Sequence, residues 1–368
     1  MGWKTTAVMK ARGSAPTYQC LEVCAGAGGQ AIGLEAAGFE HLALIEIDSH
    51  ACTTLRHNRP EWNVIEQDLT TVDFKQFKGS EIDLLSGGVP CPPFSVAGKQ
   101  LGSEDERDLF PIMMKATATL MPRALMIENV KGLLSKRFTP YRDAILDYLL
   151  ELGYVAEWRL FNAADFGVPQ TRFRSILVAM RPEDWSNFSW PQRNESVRVS
   201  VGEALISKMG SNGWKGADEW AKKATTIAPT LVGGSKKHGG ADLGPTRAKA
   251  AWKELGVDGM GLANEIPNED FQGLPRLTVS MAATIQGFPD DWNIQGKKTA
   301  AYRQVGNAFP PPVAEALGAS IANAFAITDS KSLVEEASQS REQVFPLHAR
   351  QLSILSPESI ELRLRASS

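Results

Sequence analysis

The sequence of 368 residues contains few cysteines and no long apolar run. None of its four cysteines forms a Cys-x-x-Cys pair, which argues against a disulfide framework, a zinc ribbon and thioredoxin chemistry. No apolar run is long enough to span a membrane, and no segment of signal-peptide type opens the chain. We therefore expect a cytoplasmic protein that uses neither a metal site nor a membrane.

Charge of one sign is also scarce, because the formal net charge is only −3. The charges are unevenly spread, however, and residues 192–253 carry 11 Lys and Arg against 5 Asp and Glu. A local excess of positive charge suits a surface that faces phosphates. A solvated basic surface without a partner would have the same composition.

Apolar runs and helical patterns alternate through the first half of the chain. Strands are predicted at 18–24, 42–47, 64–66, 82–85 and 124–127, and the helical patterns include one that begins with Thr139 as its cap. This alternation predicts a doubly wound, mostly parallel α/β sheet, in which ligands bind beyond the carboxyl ends of the strands. After residue 181 the alternation fades and Gly, Lys and Ser accumulate up to residue 275, which predicts a smaller, irregular domain. Residues 302–310 predict a Gly-Asn turn followed by a helix through Phe325.

A glycine-rich turn follows the first predicted strand. Gly26 and Gly28, with Ala31 in the third position, satisfy a dinucleotide-type pattern, and Glu46 lies twenty residues beyond Gly26. An acid at that distance typically binds ribose hydroxyls, so a nicotinamide, a flavin or an adenosyl cofactor would fit. Asp68, after the third strand, is suited to accept a hydrogen bond from an adenine amino group or to cap a turn.

A cysteine among prolines follows the fourth predicted strand. Pro90, Pro92 and Pro93 surround Cys91, and proline has a fixed φ and no backbone donor, so the loop is stiff. This setting favours a thiolate presented to a substrate, whereas a lone cysteine is more often a small core residue.

Two further segments carry charged side chains toward the same predicted edge of the sheet. Glu128 directly follows the apolar run 124–127, where a carboxylate is either reactive or the cap of the next helix. Arg172 and Arg174 begin another strand, and the two-residue alternation of a strand directs both side chains to one face.

Six short motifs occur in one order between about residues 18 and 325. They are Gly-x-Gly-Gly, Pro-Cys with Phe-Ser after it, Glu-Asn-Val, Gln-x-Arg-x-Arg, Gln-Gly-Phe-Pro and Gln-x-Gly-Asn. In this order the chain resembles the cytosine carbon-5 DNA methyltransferases. The resemblance implies a Rossmann-like fold that binds S-adenosylmethionine, and transfer of its methyl group to cytosine in a specific sequence of double-stranded DNA.

The resemblance assigns four residues to the chemistry. The thiolate of Cys91 would attack carbon 6 of a cytosine swung out of the duplex, which makes carbon 5 nucleophilic. Glu128 would supply a proton at ring nitrogen 3, and Arg174 would hold the carbonyl oxygen, with Arg172 supporting the site. Loss of the carbon-5 proton after methylation would expel the thiol.

The resemblance implies nine cofactor contacts, and all but Asn307 lie near the carboxyl ends of predicted strands. They are Cys24, Gly26, Gly28, Gly29, Glu46, Ile47, Asp68, Pro90 and Asn307. Glu46 would bind ribose, Asp68 the adenine amino group, and Asn307 would close the methionine end. The chain departs from the family at Cys24, usually phenylalanine, at Pro92, usually glutamine, and at 279–282, which lack an Arg-Glu pair.

The irregular region would recognise the DNA target, and its Thr230-Leu231 pair resembles the Thr-Leu pair of the family. The predicted DNA contacts are Ser95, Gln170, Thr230, Leu231, Lys236 and Lys237. The two lysines lie in a glycine-rich segment, which suits close approach to phosphates but is also typical of a flexible surface loop.

These assignments divide the chain into five parts. They are an N-terminal extension (1–17), a catalytic and cofactor-binding domain (18–181), a target-recognition region (182–275), a return segment that completes the catalytic domain (276–327) and a polar tail (328–368). We expect a monomer that is associated with the nucleoid in a prokaryote and works beside a cognate restriction endonuclease.

Three alternatives stay open. An RNA cytosine methyltransferase of the same family is the nearest, but the Pro-Phe-Thr and Cys-Phe-Thr signatures of RNA-directed relatives are absent. A nicotinamide dehydrogenase would explain Glu46 and leave Cys91 and Glu128 without a role. An inactive, methyltransferase-shaped DNA-binding protein would not need these residues intact.

Overall fold

The structure is a computed structural model that describes residues 17–90, 108–233 and 241–344, without the side chains of 335–344. Its strands are β1 (Tyr18–Val23), β2 (Phe39–Glu46), β3 (Val64–Glu66), β4 (Leu84–Gly87), β5 (Ala124–Val130), β6 (Val155–Asn162) and β7 (Phe173–Met180). They form one sheet in the spatial order β3-β2-β1-β4-β5-β7-β6. The first five strands are parallel, and β7 is antiparallel to both β5 and β6. The predicted mostly parallel α/β sheet is thereby confirmed.

The described helices are α1 (Gly29–Ala36), α2 (Ser49–Asn58), α3 (Phe110–Leu120), α4 (Thr139–Glu151), α5 (Pro182–Trp185), α6 (Val201–Gly210), α7 (Ala217–Lys223), α8 (Thr246–Glu254), α9 (Val279–Gln286), α10 (Lys298–Asn307) and α11 (Pro311–Val344). None of them combines the length and the apolar character that a membrane crossing needs.

Helices cover both faces of the sheet. On one face, Leu34 of α1 and Leu317 of α11 pack in a cluster with Val178 of β7. On the other face, Met113 of α3 and Leu149 of α4 pack with the opposite side chains of the strands. Burial from both sides explains why the central strands are almost continuous apolar runs.

Residues 182–275 contribute no strand to the sheet in the described part of the chain, only short helices and irregular segments. Their apolar side chains, such as Met209 and Trp252, belong to one cluster with Leu55 of α2 and Tyr302 of α10. This region is therefore packed directly onto the sheet domain.

Several local predictions were wrong in detail. Thr139 is the first residue of α4 and its side chain does not cap the helix. Gly306 and Asn307 end α10 and are not a separate turn, and the next helix continues past Phe325 to Val344. The helix crosses the predicted start of the tail at 328, because its first turns are fixed by packing on α1 and the later residues extend the same helix.

Candidate active site

The carboxylate of Glu46 is fixed at the carboxyl end of β2. Its Oε2 accepts a hydrogen bond from the backbone N–H of Gly26 at 2.7 Å, and its Oε1 accepts from Ile47 at 2.9 Å and Asp48 at 2.7 Å. Gly26 can reach it because its φ is +54°, in the left-handed region that glycine adopts freely. The predicted glycine turn and acid are thus joined directly.

A cavity of about 570 Å3 lies beyond the carboxyl ends of β1 to β5. Eight of the predicted site residues line it: Cys24, Gly26, Glu46, Ile47, Asp68, Pro90, Glu128 and Asn307. A cavity of this size at this edge of an α/β sheet is the ordinary place for a small-molecule ligand. The sequence therefore predicted eight of the 24 residues that line the cavity.

Gly28 and Gly29, also predicted to contact a cofactor, are not among the residues that line the cavity. A Cβ on Gly28 would lie 2.8 Å from Leu55 and 2.9 Å from Trp292, and one on Gly29 would overlap the carbonyl oxygen of Phe309. Both glycines let the turn pack closely against neighbouring segments.

Asp68 caps a turn and also lines the cavity, so its hydrogen bond to an adenine amino group stays a prediction. Its Oδ1 accepts hydrogen bonds from the backbone N–H of Thr70 at 2.9 Å and from the Thr70 hydroxyl at 2.8 Å, which caps a short 3-10 turn. Because the residue also lines the cavity, the capping bonds fix it in position there. Ile47 lines the cavity with 63% of its surface exposed, so it offers an apolar face to a ligand.

Glu22 is a cavity residue that the sequence analysis missed. It is 1% exposed, its Oε2 has no hydrogen-bond partner among the described residues, and burial raises its pKa to about 8. The nearby amide of Gln30 lowers this pKa, and the negative charge of Glu46 raises it. An acid inside the otherwise apolar first strand was the signal that could have revealed it.

Glu128 and Arg174 come together across the antiparallel strands β5 and β7. Val130 is paired with Arg174 in the strand register, and the Glu128 Oε1 lies 2.5 Å from the Arg174 Nε. The two side chains are 12% and 13% exposed. Glu128 is part of β5 itself and not the residue after the strand, so its direction is set by the strand and not by a helix cap.

The segment that leads to Cys91 lies next to this pair. A Cβ on Gly88 would lie 3.0 Å from the Glu128 Oε2, and Pro90 lines the same cavity as Glu128. Cys91 itself, together with Ser95, Lys236 and Lys237, lies outside the described residues. The described part of the site thus ends at the residue before the predicted nucleophile.

Residues 18–323 match the family model of the C-5 cytosine-specific DNA methylases. The chain belongs to this family. Type II methyltransferase M.NaeI of Lentzea aerocolonigenes is 53% identical over 306 residues, which are 82% of this chain and 74% of the relative. M.NgoMIV of Neisseria gonorrhoeae is 51% identical over 310 residues, 83% of this chain and 98% of the relative. The crystal structure of a DNMT2 mutant of Spodoptera frugiperda shares the fold at 20% identity, with a TM-score of 0.59 over 83% of this chain and 99% of that one.

Membership confirms the predicted family and activity: the protein is a DNA cytosine-5 methyltransferase. The matching family methylates cytosine in DNA, so the dehydrogenase alternative is wrong. The two curated relatives are named as Type II methyltransferases and not as RNA-directed enzymes.

Arg172 of the methyltransferase lies in a different environment from Arg174. It precedes β7, is 1% exposed, and donates hydrogen bonds to the carbonyl oxygens of Leu231 at 2.9 Å, Gly306 at 2.9 Å and Ala308 at 3.0 Å. Burial of the guanidinium lowers its pKa well below the usual value, and the nearby charge of Arg174 lowers it further. Arg172 therefore joins backbone segments and does not line the cavity.

Three residues of the methyltransferase that were predicted to touch DNA lie at the junction of the two regions. Gln170 is fully buried, and its amide donates to the Gln286 Oε1 at 2.8 Å and accepts from the Leu231 N–H at 2.8 Å. The Thr230 hydroxyl donates to the Thr171 carbonyl at 2.5 Å. In this conformation Gln170 and Leu231 are closed to solvent, so their DNA contact stays a prediction.

Proposed function

We propose that this methyltransferase is the modification enzyme of a Type II restriction–modification system. It would transfer a methyl group from S-adenosylmethionine to carbon 5 of a cytosine flipped out of duplex DNA. The observation that supports this most directly is that Glu46, Pro90 and Glu128 line one cavity, and that Glu128 forms an ion pair with Arg174.

The cavity fits S-adenosylmethionine by size and charge. Its volume lies within the usual range for small-molecule sites, and the wall includes the acidic side chains of Glu22, Glu46 and Asp68. Glu22 is buried and its Oε2 has no hydrogen-bond partner among the described residues, and a ligand with an ammonium group would pair with this carboxyl group and favour its charged form. When bound, this cofactor supplies an electrophilic methyl group, and Glu46, Ile47, Asp68 and Asn307 would hold it.

The chain's own residues would activate the cytosine. The thiolate of Cys91 forms a bond to carbon 6, and Glu128 donates a proton at ring nitrogen 3 as negative charge develops there. Arg174 holds the carbonyl oxygen of the base. After carbon 5 is methylated, ring nitrogen 3 returns its proton to Glu128 and carbon 5 loses its own proton to a water molecule. The sulfur–carbon bond then breaks, and the thiolate and the aromatic ring are restored.

The recognition region 182–275 would hold the DNA and fill the space of the flipped base. None of these reactions is accessible inside a stacked duplex, so the base must leave the helix. The excess of positive charge at 192–253 supports contact with phosphates, and Lys236 and Lys237 lie three and four residues after Gly233, which packs against Asn307. We propose that these lysines bind the backbone of the DNA.

The names of the relatives, Type II methyltransferases, support a role beside a cognate endonuclease. The enzyme would then act as a cytoplasmic monomer that binds the nucleoid, since one active site modifies one flipped cytosine at a time. DNA methylated by the protein would resist an endonuclease of the same specificity.

Bisulfite sequencing of DNA from cells that express the protein tests this function. We expect methylated cytosines within one short recurring sequence for the wild-type protein and for Cys52→Ala, a buried cysteine of α2. Cys91→Ala should leave the DNA unmethylated. Methylation by Cys91→Ala, or none by the wild-type protein, would contradict the proposal.

A further inference from the structure

The recognition region touches the end of α10 through two glycines. A Cβ on Gly306 would lie 2.5 Å from the Gly233 Cα, and a Cβ on Gly233 would lie 2.7 Å from the Asn307 Oδ1. No side chain larger than hydrogen fits at either position without a shift of backbone. Segment 230–233 of the recognition region is therefore in direct contact with the residue that closes the predicted cofactor site.

Arg172 holds these two segments together. One of its nitrogens donates to the Leu231 carbonyl in segment 230–233, and another donates to the carbonyls of Gly306 and Ala308 on either side of Asn307. A planar guanidinium with five donors can bridge three carbonyls in this way, and no other side chain matches its geometry.

Two buried glutamines extend the same contact. Gln170 accepts a hydrogen bond from the Leu231 N–H and donates to Gln286, and Gln286 in turn donates to the Ala308 carbonyl. Segments 230–233 and 306–308 are thus joined both by the guanidinium of Arg172 and by hydrogen bonds through the side-chain amides of Gln170 and Gln286. Buried polar groups of this kind are costly to leave unpaired, so the two segments have one favoured arrangement.

We propose that Arg172 is a positioning residue that clamps segment 230–233 onto segment 306–308 and thereby fixes Asn307 in the cofactor cavity. The inference rests on the proposed function, because it takes the cavity to be the S-adenosylmethionine site. The recognition region and the cofactor site then form one unit, and separating the segments weakens cofactor binding although neither Gly233 nor Arg172 lines the cavity.

Gly306→Ala is the sharpest test, because it disturbs the contact without removing the clamp. Gly306 lies in α10 without a positive φ, so alanine suits the helix there and the atoms that oppose its Cβ are the backbone of Val232 and Gly233. We expect the Kd for S-adenosylhomocysteine, measured by calorimetry, to rise at least about tenfold, while the Tm of the free protein changes by less than about 3 °C. In turnover, the KM for S-adenosylmethionine should rise more than kcat falls.

Gly210→Ala provides the matched control. Gly210 ends α6 without a positive φ, and the nearest atom to an added Cβ is the Ala217 Cβ at 3.4 Å. Its affinity for S-adenosylhomocysteine should equal that of the wild-type protein. Arg172→Lys keeps the charge but not the planar fork, so it should weaken this affinity in the same direction as Gly306→Ala.

Wild-type affinity for S-adenosylhomocysteine in Gly306→Ala would overturn the inference, whether or not Arg172→Lys folds. Equal loss of affinity in Gly210→Ala would overturn it too, because the effect would not belong to this contact. Binding is measured without DNA, so an affinity loss confined to Gly306→Ala and Arg172→Lys supports the inference even if no DNA is methylated. Failure of the wild-type protein to bind S-adenosylhomocysteine would instead refute the cofactor assignment and this inference with it.

Discussion

Glu128 and Arg174 form an ion pair across β5 and β7, with the carboxylate Oε1 2.5 Å from the guanidinium Nε. The two groups that the proposed mechanism assigns to the cytosine are thus partners of each other in the free protein. Mutual binding holds both side chains in place before a base arrives. A flipped cytosine would enter a site whose polar groups are already oriented. It would form hydrogen bonds with both side chains, either in addition to the ion pair or in place of it.

We expect Glu128→Gln to lower the rate of methyl transfer by at least about 100-fold, because the amide cannot donate a proton to ring nitrogen 3 as a carboxylic acid does. The affinity for DNA should change by less than about threefold, since size and hydrogen-bonding capacity are kept. Single-turnover methylation and an equilibrium binding titration measure the two effects. A rate within threefold of wild type would exclude Glu128 as the proton donor.

A DNA duplex with 5-fluorocytosine at the target position should trap the enzyme as a covalent complex. Fluorine at carbon 5 cannot leave as a proton does, so the bond between the Cys91 sulfur and carbon 6 is not broken after methylation. A denaturing gel should show the complex only when S-adenosylmethionine is present. Cys52→Ala should form it and Cys91→Ala should not, and its absence with the wild-type protein would count against covalent catalysis.

Glu46→Gln should lower both stability and affinity for S-adenosylhomocysteine. Three backbone N–H groups point at the carboxylate, so an amide would direct its NH2 group at a donor, at a cost of about 1–3 kcal/mol. We expect a lower Tm and a Kd raised at least about tenfold. The exposed Glu61→Gln is the control, and a Glu46→Gln variant with wild-type Tm and Kd would show that the carboxylate is not needed there.

Glu22 makes the stability of the protein depend on pH. Its pKa in the folded state is about 8, above the ordinary value of 4.5, because the charged form is buried and lies near Glu46. Between these two values the unfolded chain has lost the proton and the folded chain keeps it, so the free energy of unfolding falls as the pH rises. Above about pH 8 Glu22 is charged in the folded protein too, and the free energy of unfolding is lowered by the full cost of burying that charge.

Glu22→Gln should remove this penalty. The Tm of the variant relative to wild type should increase by roughly 2–6 °C from pH 5 to pH 9. Thermal unfolding at a series of pH values measures it, with the exposed Glu40→Gln as a variant whose Tm difference should not follow pH. A Tm difference between Glu22→Gln and wild type that stays constant from pH 5 to pH 9 would mean that Glu22 is already charged in the folded protein at pH 5.

Much of the fold and of the site was predictable from the sequence. The alternation of apolar runs and helical patterns predicted the parallel sheet, because burial on both faces leaves a direct trace in each strand. The cavity residues at the strand ends or within three residues of them, such as Gly26, Glu46, Asp68 and Pro90, were predictable because parallel strands end at one edge. Glu22 was missed because the sequence shows an acid within the first strand but does not show that its side chain faces the cavity.

The sequence alone determined which chemical groups are present and in which local structures they lie. The alternation of a strand and the conformations of turn glycines and prolines depend only on residues close together in the chain. The tertiary structure decided which of these groups meet. Arg172 bonds carbonyls that are 59, 134 and 136 residues away, and Gln170 and Leu231, which looked like DNA contacts, close the junction between regions. Hydrogen bonds over such separations depend on how whole segments pack, and no local pattern specifies that.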